Sequence, residues 1–154
     1  ADSPYSTDVN LWGRSVESGV LDDPWREPPE DVYQLTRSPA EAPDLPAYVE
    51  LEFEQGVPQA INGVALTLVE LISTLETIAS AHGIGRIDLL ENRLGGTKSR
   101  EIYEAPAGVL LQRSLPRDGH RQDQGIEGRM VESFADEPAG GQQNARRIGW
   151  QRVT

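Results

Sequence analysis

Eight of the eleven prolines fall between Pro4 and Pro58. That crowding bars long helices from the opening third, because each proline removes a backbone donor and restricts the residue before it. The run Asp22-Asp23-Pro24-Trp25-Arg26-Glu27-Pro28-Pro29 therefore reads as loop and extended chain, and a loop-rich N-terminus is expected. At 154 residues the chain has the size of one average domain.

Regular elements begin where the prolines thin out. Ala47 to Glu54 alternates, with Val49, Leu51 and Phe53 on one face and Glu50, Glu52 and Glu54 on the other, which predicts a half-buried strand. Gln55-Gly56-Val57-Pro58 supplies turn residues, and Gln59 to Gly63 reads as the return strand of a hairpin. Thr67 and Glu70 have capping-box spacing. Leu68, Leu71, Ile72, Leu75, Ile78 and Ala79 then recur at helical spacing until Gly83. Gly85 to Arg93 suits a strand that delivers polar groups to a surface, and Gly95-Gly96 breaks it. A helical turn or two is expected from Ser99 through Ile102 and Tyr103, followed by a helix with Pro106 at its first position. The fold class expected is α+β: a β-hairpin and mixed strands packed with one or two helices.

Residues 1–112 hold 19 acidic and 7 basic side chains, whereas 113–154 hold 6 and 7. Beyond Gln112 neither a two-residue nor a helical period persists, so residues 113–154 are expected to form a disordered tail. Thirteen of the fourteen basic residues are arginine, a bias typical of GC-rich coding DNA, and the tail could be such DNA read out of frame or a foreign segment. Ile126-Glu127-Gly128-Arg129 resembles a cleavable linker but is too short to weigh.

The net charge of -11 disfavours nucleic acid and anionic lipid, which attract basic proteins. No apolar run reaches the roughly 18 residues of a membrane span, and Ala1-Asp2-Ser3-Pro4 has no signal-peptide character. A cytoplasmic address is expected. With no cysteine, and with His82 and His120 far apart, no metal site is expected. A Ser-His-Asp triad lacks a nucleophile elbow. Gly83-Ile84-Gly85-Arg86 follows a helix where a phosphate loop would precede one. Glu50, Glu52 and Glu54 read as a solvated face rather than a carboxylate site.

Two segments mix polar groups and glycines more densely than ordinary loops require. The first runs from Ser3 to Trp25 and contains Pro4-Tyr5-Ser6-Thr7-Asp8 and Trp12-Gly13-Arg14-Ser15. The second runs from Gly83 to Gly108 and contains Leu90-Glu91-Asn92-Arg93 and Arg100-Glu101-Ile102-Tyr103-Glu104. In this order and at this separation, with Glu52-Phe53-Glu54-Gln55-Gly56-Val57-Pro58 between them, they resemble the C-terminal synthetase domain of argininosuccinate synthases. The resemblance covers about Ser3 to Leu111 and implies a fragment of that domain over residues 1–112.

The resemblance further implies a ligase of arginine synthesis that joins citrulline to aspartate, converting ATP to AMP and pyrophosphate. By matching positions, Ser6, Ser15, Glu91 and Tyr103 are the expected citrulline contacts, and no catalytic residue is expected in this chain. A carboxylate can accept the N–H groups of a ureido function, while hydroxyls can orient it without adding charge. Outside the resemblance, these four read as a turn serine, a loop serine, a surface charge and a packing aromatic. The family's glycine- and serine-rich nucleotide loop has no counterpart here. ATP, with Mg, is thus expected to bind mostly outside this chain, which is expected to be inactive alone. The family assembles as homotetramers, but its tetramer-building helices are not matched after Leu111. A non-enzymatic fragment or interaction module keeping the fold is the alternative.

Overall fold

A computed structural model of the chain describes residues 3–92, 96, 98–114, 128–134 and 151–152, the last two segments as backbone. In chain order the elements are β1 (Ser6–Asn10), β2 (Gly13–Glu17), β3 (Ala47–Glu54), β4 (Val57–Ile61), β5 (Val64–Ala65), α1 (Leu68–Ala81), β6 (Arg86–Asn92), β7 (Lys98–Glu104), α2 (Pro106–Ser114), β8 (Gly128–Phe134) and β9 (Gln151–Arg152). Short 3₁₀ turns at Gly19–Asp22, Glu30–Val32 and Pro39–Glu41 punctuate the proline-rich opening. The fold is α+β, as expected, and it divides into two compact units. One comprises residues 1–42 and 72–110, the other 43–71 and 111–154.

The first unit is built on a four-stranded antiparallel sheet in the order β1-β2-β7-β6. β1 and β2 form a tight hairpin, with Asn10 Oδ1 accepting the Trp12 N–H at 2.8 Å across its turn. Gly13 starts β2 with φ of 137°, and a Cβ there would lie 1.9 Å from the Glu104 carbonyl oxygen of β7. Only glycine lets the two backbones approach so closely. On one face of this sheet Val16 and Ile102 join Leu21 and Val32 in a buried cluster, with Tyr5, Val20 and Tyr33 packed around it. Ile72, Leu75 and Ala79, spaced helically along α1, are also buried.

β7 departs from the expected helical turn over Ser99 to Tyr103. These residues are a strand because β2, about ninety residues upstream, and β6 claim its two edges. Pairing of that range overrides local propensity, and it aligns Ile102 with the buried cluster.

The second unit holds a sheet in the order β5-β4-β3-β8-β9. Along β3, Val49, Leu51 and Phe53 are buried, Glu52 and Glu54 are exposed and Glu50 is half-buried, so the predicted alternation holds. The return strand starts earlier than expected, at Val57, since Gln55 and Gly56 alone make the turn with φ of 50° and 78°. Asn62 and Gly63 make a second such turn (φ of 50° and 76°) into β5. Both suit the right-handed twist of a hairpin.

At the start of α1 the Thr67 N–H donates to Glu70 Oε2 at 2.9 Å and the Glu70 N–H to Thr67 Oγ1 at 3.4 Å, the predicted capping box. The helix closes with the Ile84 N–H on the Ala79 carbonyl and the Gly83 N–H on that of Ser80, a Schellman ending. Of the tail expected beyond Gln112, Gly128–Phe134 pairs along β3 and Gln151–Arg152 pairs with β8. Residues 115–127, 135–150 and 153–154 lie outside the described residues.

Candidate functional site

Strand register decides which side chains of the first unit can act together. Ser6 pairs with Glu17, Asp8 with Ser15, Ser15 with Tyr103, Tyr103 with Ile87, Leu89 with Glu101, and Glu91 with Ser99. Paired residues point to the same side and successive residues to opposite sides. Ser6, Ser15, Glu91 and Tyr103 therefore share one face of one sheet, and Arg14, Val16, Ile102 and Glu104 take the reverse.

On the shared face Glu91 and Tyr103 meet directly. The Tyr103 hydroxyl lies 2.6 Å from Glu101 Oε2 and 3.2 Å from Glu91 Oε1. The hydrogen bond to Glu101, then burial and the charges of both glutamates, push the phenol well above its ordinary range. Ser15 enters as the register partner of Tyr103 and is half-buried, as is Tyr103; Ser6, on the outer strand, and Glu91 are exposed. Asp8, Glu17, Glu91 and Glu101 make the ionisable groups of this face acidic among the described residues. Such a face accepts hydrogen bonds from cations and N–H donors. None of the four predicted residues lines the open depression of about 770 Å³ formed by Pro4, Gly19, Val20, Asp22, Asp23, Pro24 and Arg26.

The reverse face is anchored by a buried polar network. Glu104 has no exposure, and its carboxylate accepts from Arg14 Nη1 (3.0 Å), Thr36 Oγ1 (2.6 Å) and the backbone N–H groups of Gln34, Leu35 and Thr36 (2.9, 3.0 and 2.8 Å). Burial alone would raise this carboxyl, but the donors from Thr36, Gln34 and Arg14 outweigh it and hold it below the usual range. Arg14 also donates to the Val32 carbonyl at 2.5 Å.

Arg86 extends the network, donating to Thr36 Oγ1 and O at 2.9 and 2.8 Å and gripping Glu30 with two bonds of 2.6 and 3.0 Å. Its guanidinium lies 3.9 Å from the Tyr33 ring centroid. These contacts pin residues 30–36 to the back of the sheet. Arg14 and Glu104 are the chain neighbours of Ser15 and Tyr103, so they fix the backbone from which the two hydroxyls project.

Glu101, Glu104, Arg14, Thr36 and Arg86 were not singled out as functional from the sequence. Glu101 would have emerged had Ser99 to Glu104 been read as alternating, which sets it beside Tyr103. Among the described residues no group of three or more His, Cys, Asp or Glu side chains could hold a metal ion. Among the same residues no helix is long and apolar enough to cross a membrane.

Comparison with known proteins adds a second line of support. Residues 5–118 match the family model described as "Arginosuccinate synthase C-terminal domain". The chain is 55% identical over 133 residues to the argininosuccinate synthase of Gloeobacter violaceus, covering 81% of this chain and 33% of that protein. Against that of Symbiobacterium thermophilum it is 52% identical over 139 residues, covering 85% of this chain and 35% of that protein. Against that of Streptococcus suis it is 58% identical over 110 residues, covering 71% and 28%. The chain thus spans about a third of the length of these relatives. With the family match taking in both strands of the opening hairpin, both strands that carry Glu91 and Tyr103, and the helix between them, the chain belongs to the argininosuccinate synthase family.

Proposed function

We propose that this chain is the citrulline-binding portion of an argininosuccinate synthase, the ligase of arginine synthesis that joins citrulline to aspartate with conversion of ATP to AMP and pyrophosphate. The observation that carries the reading is the register placing Ser6, Ser15, Glu91 and Tyr103 on one face. Citrulline offers a ureido group and an α-ammonium group, both rich in N–H donors, to a face whose ionisable groups, among the described residues, are acidic. Glu91 accepts from such donors, and Ser6, Ser15 and Tyr103 supply hydroxyls that orient the ligand without adding charge. The contribution to catalysis is positioning, which in enzymes supplies about 7–11 kcal/mol of a barrier.

Asp8 and Glu91 on the same face disfavour a triphosphate. ATP, Mg and aspartate belong, in this reading, to other parts of the enzyme, and the chain alone does not turn over. A cytoplasmic address and a homotetrameric assembly are proposed with the family reading. The division at Gln112 is likewise kept as a proposal, because the charge balance changes there although the family match runs to residue 118.

Calorimetry with millimolar citrulline tests the reading. A saturable heat is expected with the full chain. A folded sample giving no heat would overturn citrulline binding and favour a non-enzymatic fragment.

A further inference from the structure

We infer that Glu101 is a specificity-determining residue of this face: by accepting the hydrogen bond of the Tyr103 hydroxyl it leaves the phenol oxygen and Glu91 as paired acceptors, which select an N–H-rich ligand group over a carboxylate of the same shape. The inference deepens the citrulline reading and rests on it.

Tyr103 has one hydroxyl proton and two carboxylates within reach. The bond to Glu101 at 2.6 Å is short enough for a charge-assisted O–H···O contact, whereas Glu91 stands at 3.2 Å. Glu101 is also the better-restrained partner, being half-buried on the same strand two residues away, while Glu91 is exposed on β6. The proton therefore resides between Tyr103 and Glu101.

The remaining lone pairs of the phenol then face Glu91 Oε1 across 3.2 Å with no proton between them. A ligand donor relieves that opposition and a ligand acceptor worsens it. Among the described residues the register partners of Tyr103 are Ser15 on β2 and Ile87 on β6, and both are uncharged. A phenol held in this way resists ionisation, in keeping with the upward displacement of its titration.

The test compares the full chain with Glu101→Ala and Glu101→Gln, using citrulline and α-aminopimelate, whose terminal carboxylate replaces the ureido group at the same chain length. The Tyr103 phenol is followed by tyrosine-ring carbon NMR and assigned with Tyr103→Phe. In Glu101→Ala the expected results are citrulline binding weaker by roughly fivefold to tenfold, a narrower preference over α-aminopimelate, and phenol titration at lower pH. Glu101→Gln keeps an acceptor oxygen and should fall between the two. A merely structural role for Glu101 would leave the phenol titration and the ligand preference in place.

Unchanged affinity, preference and phenol titration in folded variants would overturn the role of Glu101 while leaving citrulline binding intact. Absence of citrulline binding by the unaltered chain would overturn the underlying reading and the specificity role together.

Discussion

Glu104→Gln is expected to unfold the first unit at much lower urea concentration than the unaltered chain. Glu104 is wholly buried and holds five donors, with Arg14 buried beside it at 3.0 Å. Glutamine keeps the volume but sets an NH₂ group against backbone N–H donors and leaves Arg14 without its counter-charge. Breaking a buried pair from one side costs about 3–5 kcal/mol, much of the roughly 5–15 kcal/mol that keeps a domain folded. Urea denaturation followed by circular dichroism measures the midpoint. A variant midpoint equal to that of the unaltered chain would contradict the anchoring role.

The same residue ties stability to pH. Its folded carboxyl lies below the unfolded value near 4.5, because donation from Thr36, Gln34 and Arg14 exceeds the opposing effect of burial. Its stabilising contribution is thus fully present above that unfolded value and is lost as pH falls through the folded one. Glu30, lowered chiefly by its bond to Arg86, acts in the same direction. Below about pH 4.5 the unaltered chain should weaken steeply, and Glu104→Gln should depend less on pH in that window.

Glu91→Gln is expected to weaken citrulline binding by about tenfold to a hundredfold, without moving the urea midpoint. Hydrogen bonds to a charged group contribute about 1.5–3 kcal/mol, and every 1.4 kcal/mol is tenfold in affinity. Since Glu91 is exposed on β6, solvent screening places the effect toward the lower end, and its loss leaves no buried charge behind. Calorimetric titration of both proteins checks the ratio. Equal affinities would remove Glu91 from the site.

Elements governed by neighbours in sequence were legible from the residues. The β3 alternation and the α1 capping box came from local chemistry that pairing did not need to reveal. β7 was missed because its charged, interrupted sequence is a strand only by virtue of β2 and β6. The opening hairpin was missed for the same reason: Ser6–Asn10 is exposed throughout and carries no apolar face to betray it.

The candidate site divides along the same line. Ser6, Ser15, Glu91 and Tyr103 were reached through family resemblance, since no local pattern joins residues this far apart. Glu101 and the Glu104 network stayed hidden because each depends on a pairing or a loop closure that sequence spacing does not express. Glu104 in particular reads as a surface acid, yet Gln34, Leu35 and Thr36 enclose it from about seventy residues away.

The measurement that bears most directly on the shared face is an amide NMR titration of the full chain with citrulline. Saturable shifts should gather at Ser6, Ser15, Glu91 and Tyr103 and spare the pocket residues Asp22, Asp23 and Arg26. Saturable shifts confined to that depression, or a folded spectrum that citrulline leaves unchanged, would contradict the assignment of this face.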